Sequence, residues 1–381
     1  MKSAATSCDI FCTVVDNYGD IGVCWRLARQ LANEHGLQVR LWVDDLKSFG
    51  RLCPDANADH GRQICREVEV RRWPADFPAV EPADLVIEAF ACRLPESYVQ
   101  AMAAREPGPV WVNLEYLSAE DWVDGSHGLP SPHPTLPLTR YFFFPGFTRQ
   151  TGGLLLEHDL LARRDAFQSD AATQGRYWQS LGVPERQPGE LRVSLFSYEN
   201  EAIEDLLRCW ERGDQLVTCL LPEGRSLPQV AAFFGYPGGK AGDVWQRGKL
   251  RVHVLPFVEQ ERYDELLWAC DVNFVRGEDS CVRAQWADRP FIWHIYPQHD
   301  GVHLAKLEAL RLRYTEGLPP EAALAVRNLW RAWNGGPDVA GSWLRFYSQY
   351  KVLEGRSRAW AQWLASNNLA LNLLAFYRQT E

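Results

Sequence analysis

The chain has 381 residues, 46 % of them hydrophobic and 23 % charged, which is the balance of a globular protein long enough for two domains. Its 49 acidic and 40 basic residues leave a formal charge of -9, which argues against non-specific nucleic-acid binding and leaves room for a basic partner. No apolar run reaches the roughly 18 residues of a membrane span, no signal-peptide pattern opens the chain, and the ten cysteines include no Cys-x-x-Cys pair. A protein of the reducing cytoplasm, without disulfides and without membrane association, is expected.

The predicted elements alternate from the start. Strands are expected over 9–15, 38–43, 67–73, 84–90 and 109–114, with helices over 23–34 and 95–105. Near-continuous apolar strands between helices predict a parallel sheet covered on both faces. The stretch 124–137 has loop composition. A strand over 141–147 and a helix around 160–181 follow, and 182–189 has linker composition. The pattern then begins again. Strands are predicted over 192–198, 216–221, 250–255, 272–275 and 291–296. Helices are predicted over 201–211, 259–269, 280–287, 302–310 and 321–333, and the last 40 residues read as helical. The fold class is α/β, with two Rossmann-like domains facing a cleft, the GT-B architecture. A two-domain dehydrogenase has the same element pattern.

Three stretches carry chemistry. The first is Asp16-Asn17-Tyr18-Gly19-Asp20-Ile21-Gly22, between the first strand and the first helix. Two carboxylates in this turn repel a pyrophosphate and attract a guanidinium, a hydroxyl or a cation, so an acceptor site with a general base is expected here. As a plain turn, Asn17, Gly19 and a capping Asp20 are equally at home. The absence of a Gly-x-Gly-x-x-Gly turn counts against the dehydrogenase.

The second stretch is Arg276-Gly277-Glu278-Asp279-Ser280, where a strand ends and a helix begins. A helix N-terminus and an arginine suit a pyrophosphate. Glu278 suits sugar hydroxyls or a cationic acceptor. The bland alternative is capping by Asp279 or Ser280. The third stretch is aromatic: Phe196 and Tyr198 at one strand end, and Phe257 with Gln260 at a neighbouring one. Two rings can sandwich a base whose edge Gln260 can bond. His294, His299 and His303 match no zinc spacing, so no metal is expected. Gln298, His299 and Asp300 fit a position near a sugar instead.

Together, the opening Asp-Asn-Tyr-Gly-Asp-Ile-Gly-Val-Cys-Trp-Arg, the Phe-Ser-Tyr strand end, Leu-Pro-Phe-Val-x-Gln, Asn-Phe-Val-Arg-Gly-Glu-Asp-Ser and Trp-His-Ile-Tyr-Pro-Gln resemble the EarP family, bacterial protein-arginine rhamnosyltransferases that act on elongation factor P. The resemblance covers nearly the whole chain. It implies a GT-B fold and inverting transfer of L-rhamnose from dTDP-β-L-rhamnose to one arginine of elongation factor P, without a cofactor or metal. It implies an acceptor-binding domain over 1–183, a nucleotide-sugar domain over 184–362, and a C-terminal helix over 363–381 that packs back on the first domain. On this sequence the family's roles fall as follows. Asp20 is the base and Asp16 its partner on the guanidinium, with Asn17, Tyr18 and Gly19 in the same turn. Phe196 and Phe257 stack on thymine, near Tyr198 and Gln260. Arg276, Glu278, Asp279 and Ser280 meet the pyrophosphate and sugar, and Glu278 is the alternative catalytic carboxylate. A glycosyltransferase with a small-molecule acceptor and a non-catalytic binding module are the competing readings.

Overall fold

The computed structural model of the chain describes residues 5–15, 18–298 and 301–380. In chain order the first stretch holds β1 (Ser7–Cys12), α1 (Gly19–Asn33), β2 (Gln38–Val43), α2 (Leu46–Leu52), β3 (Arg62–Cys65), β4 (Val68–Arg72), β5 (Leu85–Ala89), α3 (Glu96–Ala104), β6 (Val110–Leu114), α4 (Trp122–Ser126), β7 (Pro130–Pro132) and β8 (Thr139–Phe143). The second holds α5 (Leu160–Ser169), α6 (Ala171–Ser180), β9 (Leu191–Leu195), α7 (Ala202–Arg212), β10 (Val217–Pro222), α8 (Leu227–Phe233), β11 (Val244–Arg247), β12 (Leu250–Leu255), α9 (Gln260–Ala269), β13 (Val272–Arg276), α10 (Asp279–Gln285), β14 (Phe291–His294), α11 (Val302–Thr315), α12 (Pro320–Trp333), α13 (Val339–Ser348) and α14 (Tyr350–Leu364), and α15 (Leu369–Thr380) closes the chain.

These elements form two compact units, Met1–His158 with Leu364–Glu381, and Asp159–Trp363. The first is built on a sheet of order β3-β4-β2-β1-β5-β6-β8-β7, the second on a sheet of order β11-β12-β10-β9-β13-β14. Both are parallel apart from the outer pairs β3–β4, β7–β8 and β11–β12. In each, the chain leaves the first strand toward one edge and returns to its other side. That makes a topological switch point between β1 and β5 and another between β9 and β13, where α/β sheets bind ligands.

Buried polar groups lock the central strands. In the first unit the Asp9 carboxylate, fully buried, accepts from Arg40 at 2.5 and 2.6 Å, from the Trp42 indole at 3.2 Å and from the Tyr98 hydroxyl. Phe11, Trp42, Val86, Tyr98, Met102 and Trp111 pack around it. In the second unit the Ser194 hydroxyl on β9 donates to Asn273 Oδ1 on β13 at 2.7 Å. Trp210, Phe274, Trp333 and Trp343 form a ring-on-ring core, with centroids 4.7–6.1 Å apart along the chain of contacts. Satisfying each buried donor and acceptor is what makes such polar hubs tolerable in a core.

Several expectations change. The helix expected around 160–181 is two helices, α5 and α6. Asp170 breaks it with extended backbone and caps α6 by accepting from Ala172 N–H at 2.9 Å. Both helices belong to the second unit, so the units divide at 158/159 rather than at 183/184. The reason is side-chain packing. Phe167 lies edge-on to Trp268, and Arg164 donates to Trp286 O and Asp288 at 2.8 Å. The C-terminal helix α15 lies in the first unit. Leu369 N–H donates to Leu154 O at 2.9 Å, and Gly153, at φ 79°, passes so close to Asn367 that a Cβ would sit 2.2 Å from its carbonyl oxygen.

Candidate functional site

The switch point of the second unit gathers an arginine and aromatic rings. β9 runs into Phe196, Ser197 and Tyr198, and β13 ends in Arg276. The Arg276 guanidinium carbon lies 4.5 Å from the Phe196 ring centroid and 4.6 Å from that of Tyr198. A guanidinium between two ring faces is held flat by cation–π attraction. Gly277, at φ 62°, turns the chain out of β13, and the Trp293 indole donates to its carbonyl at 2.8 Å. α10 then begins at Asp279 with no side-chain capping bond. The Ser280 hydroxyl instead returns to Arg276 O, and Gln260 donates to Asp279 Oδ2 at 3.4 Å. Asp279 and Ser280 therefore stand in the first turn of α10, and the residue at the N-cap position is Glu278. The buried Arg283–Asp264 pair, at 2.7 and 2.8 Å, fixes α10 against α9.

Phe196 and Phe257 do not sit at neighbouring strand ends: β10 separates β9 from β12. Two strand spacings of about 4.8 Å leave roughly 10 Å between those ends, which is room for a flat ring. Both phenylalanines are half-buried.

Sequence reasoning passed over the β10–α8 turn. A Cβ on Gly224 would lie 3.7 Å from the Phe196 ring, and the exposed Arg225 guanidinium lies 5.8 Å from the Tyr198 centroid. Its signal was available: Pro-Glu-Gly-Arg-Ser at the end of a strand shares its Arg, Gly, Glu and Ser with Arg-Gly-Glu-Asp-Ser.

His294, 5 % exposed, shares a 2.8 Å hydrogen bond with the Ser197 hydroxyl. Burial, then the Arg276 and His303 charges, push its pKa down to about 4. Its partner groups are thus arranged for a neutral imidazole. The unfolded chain takes up this proton near the ordinary histidine value of about 6.5. The folded state refuses it until about 4, so stability is complete above the unfolded value and falls as pH drops between the two. From about pH 7 to pH 5 the loss is on the order of 2 kcal/mol. Denaturant titrations of His294→Asn are expected to show that increment removed; an unaltered pH slope would refute it.

The switch point of the first unit gathers carboxylates. β1 ends at Cys12 and α1 begins at Gly19, so Asp20 stands in the first helical turn rather than in a loop. An acid there is favoured by the free N–H groups of the helix start. Asp20 is 5 % exposed, and its Oδ2 accepts from Val15 N–H at 2.9 Å. Val14 N–H donates to Asp44 Oδ1 at 2.9 Å. The Tyr18 hydroxyl accepts from Arg51 at 3.1 Å, and Tyr18 O accepts from Gly22 N–H at 2.9 Å, opening the helix. Asp20 therefore ties the turn together as well as presenting a carboxylate. Asp16, Asn17, His299 and Asp300 lie outside the described residues. Directly beside β1, the end of β5 carries Phe90 and the end of β6 carries Glu115 and Tyr116; sequence reasoning missed all three.

Among the described residues no group of three His, Cys, Asp or Glu side chains could hold a metal ion. All ten cysteines are free thiols, and no described helix is long and apolar enough to cross a membrane.

The profile of the family described as Elongation-Factor P (EF-P) rhamnosyltransferase EarP matches residues 8–378. A protein-arginine rhamnosyltransferase of Pseudomonas putida KT2440 is 52 % identical over 98 % of both chains. One of Pseudomonas aeruginosa PAO1 is 50 % identical over 97 % of this chain and 98 % of its own. A solved structure described as the structural basis for EarP-mediated arginine glycosylation of translation elongation factor EF-P superposes with a TM-score of 0.72 at 37 % identity, covering 99 % of this chain and all of that one. The paired α/β sheets are those of a GT-B glycosyltransferase, and with matches of this extent and identity the chain belongs to the EarP family of elongation factor P rhamnosyltransferases.

Proposed function

We propose that the chain transfers L-rhamnose from dTDP-β-L-rhamnose to one arginine side chain of elongation factor P, with inversion at the anomeric carbon and without a metal, in the cytoplasm. The observation that carries this reading is the opposite chemistry of the two switch points. The second unit offers an arginine between aromatic rings at a helix start, and the first offers a buried carboxylate. The former suits a nucleoside diphosphate and the latter a guanidinium.

In this reading Phe196 and Phe257 stack on thymine, Gln260 meets its edge, and Tyr198, Arg276, Asp279 and Ser280 hold the diphosphate and sugar. Asp20 and Asp16 hold the acceptor guanidinium, with Asn17, Tyr18 and Gly19 shaping the turn. Arginine is a poor nucleophile because its charge is delocalised and its pKa exceeds about 12. A carboxylate that orients one nitrogen and takes its proton as the carbon–nitrogen bond forms removes that obstacle. As the anomeric carbon–oxygen bond breaks, the electron pair leaves on dTDP. The Arg276 charge and the first-turn N–H groups of α10 stabilise it. Glu278 faces the sugar or the acceptor.

Incubation of the purified protein with elongation factor P and dTDP-rhamnose is expected to add one deoxyhexose to the acceptor's intact mass, with an unchanged rate in EDTA. No mass increase refutes the reading. Loss in EDTA with rescue by Mg²⁺ or Mn²⁺ refutes its metal-free part.

A further inference from the structure

Three of the four residues after β5 have left-handed backbone: φ is 55° at Phe90, 53° at Ala91 and 57° at Arg93. None is a glycine, an asparagine or an aspartate, the types that tolerate this region. Such a conformation persists only where its surroundings over-determine it. Here they do. Phe90 N–H donates to Leu114 O at 2.7 Å, Ala91 N–H to Asn113 Oδ1 at 3.2 Å, and Arg93 N–H to Glu88 Oε1 at 3.0 Å. The Cys92 thiol donates to Phe11 O at 3.3 Å. Glu88 and Asn113 are each 1 % exposed.

The enforced turn displays an aromatic face. The Phe90 and Tyr116 rings stack with centroids 4.7 Å apart and planes 22° apart, and Tyr116 is 37 % exposed. Beside them stands Glu115, half-buried, whose carboxylate receives the Asn113 side-chain amide. One buried asparagine thus holds the strained turn by its oxygen and the carboxylate by its nitrogen.

These groups share a sheet edge with Asp20. Phe11 of β1 lies opposite Glu88 of β5, and Glu88 opposite Asn113 of β6. At about 4.8 Å per strand, the carboxyl ends of β1, β5 and β6 fall within roughly 10 Å. An aromatic face beside a carboxylate is the chemistry that holds a planar cation: the guanidinium stacks on the ring and gives N–H bonds to the oxygens. A lysine ammonium has no plane to match it.

The geometry points to Phe90, Glu115 and Tyr116 as the remaining part of the arginine-binding site, with the stacked pair as its face and Glu115 orienting the guanidinium toward Asp20. This inference rests on the reading of the chain as an arginine glycosyltransferase.

The test is steady-state transfer to elongation factor P, followed by intact mass, with calorimetric titration of dTDP on the same variants. Tyr116→Ala is expected to raise the acceptor KM about tenfold, while Tyr116→Phe stays near wild type. Glu115→Gln, nearly isosteric, is expected to lower kcat/KM for the acceptor by about ten- to a hundredfold. dTDP affinity is expected to hold in all three. Wild-type acceptor KM in both Tyr116→Ala and Glu115→Gln overturns the inference. So does an equal loss of dTDP affinity, which marks a disturbed fold rather than a lost arginine contact. Failure of the unaltered protein to modify elongation factor P overturns the underlying reading instead.

Discussion

Asp20→Asn is expected to lower single-turnover transfer by about 10²–10⁴-fold, the usual contribution of a positioned general base. The substitution separates the two duties of this side chain. The Asn amide keeps an oxygen that can accept from Val15 N–H, the bond that Asp20 makes at 2.9 Å. The β1–α1 turn therefore survives, and only the proton acceptor is lost. dTDP affinity is expected to stay within about twofold, or under about 0.5 kcal/mol, because Asp20 belongs to the first unit and the residues read as holding dTDP belong to the second. Transfer by Asp20→Asn at near wild-type rate assigns the base elsewhere, with Glu278 the next candidate. A lowered melting temperature together with lowered transfer assigns Asp20 a structural role.

Arg276→Gln is expected to cut turnover by about 10²–10³-fold, as removal of a preorganised donor for a developing negative charge does. Calorimetry on two ligands reads the cause. Affinity for dTDP is expected to fall about tenfold or more, because a hydrogen bond to a charged group is worth about 1.5–3 kcal/mol. Affinity for thymidine, which has no diphosphate, is expected to hold. Phe257→Ala is expected to weaken both ligands alike. Its stacking contribution of about 1–3 kcal/mol disappears for both ligands. Equal losses for thymidine and dTDP in Arg276→Gln would show that Arg276 acts through the Phe196 and Tyr198 rings it lies between and not on the diphosphate.

The sequence by itself determined the α/β class, the two-fold repetition of the strand–helix pattern, and the two turns with the richest chemistry. These are local properties. A near-continuous apolar run such as Ile10-Phe11-Cys12-Thr13-Val14-Val15 followed by Asp, Asn and Gly reads as strand then turn without any knowledge of the rest of the chain. Arg276-Gly277-Glu278-Asp279-Ser280 reads the same way, since Gly277 occupies a positive φ that its composition announces. The short polar edge strands β3 and β11 carry no such pattern and escaped.

Tertiary structure alone decided three things. It put α5, and α6 with it, in the second unit, because Phe167 and Arg164 of α5 find Trp268, Trp286 and Asp288 there, each more than a hundred positions away in sequence. It brought Arg276 between Phe196 and Tyr198, because β9 and β13 pair at a switch point although some 80 residues separate them in sequence. It made Phe90, Ala91 and Arg93 adopt left-handed backbone, for which none of these residue types has a preference. Strand and helix periodicity is written in neighbouring side chains, whereas strand order and an enforced turn are set by hydrogen bonds from distant residues such as Asn113 and Leu114.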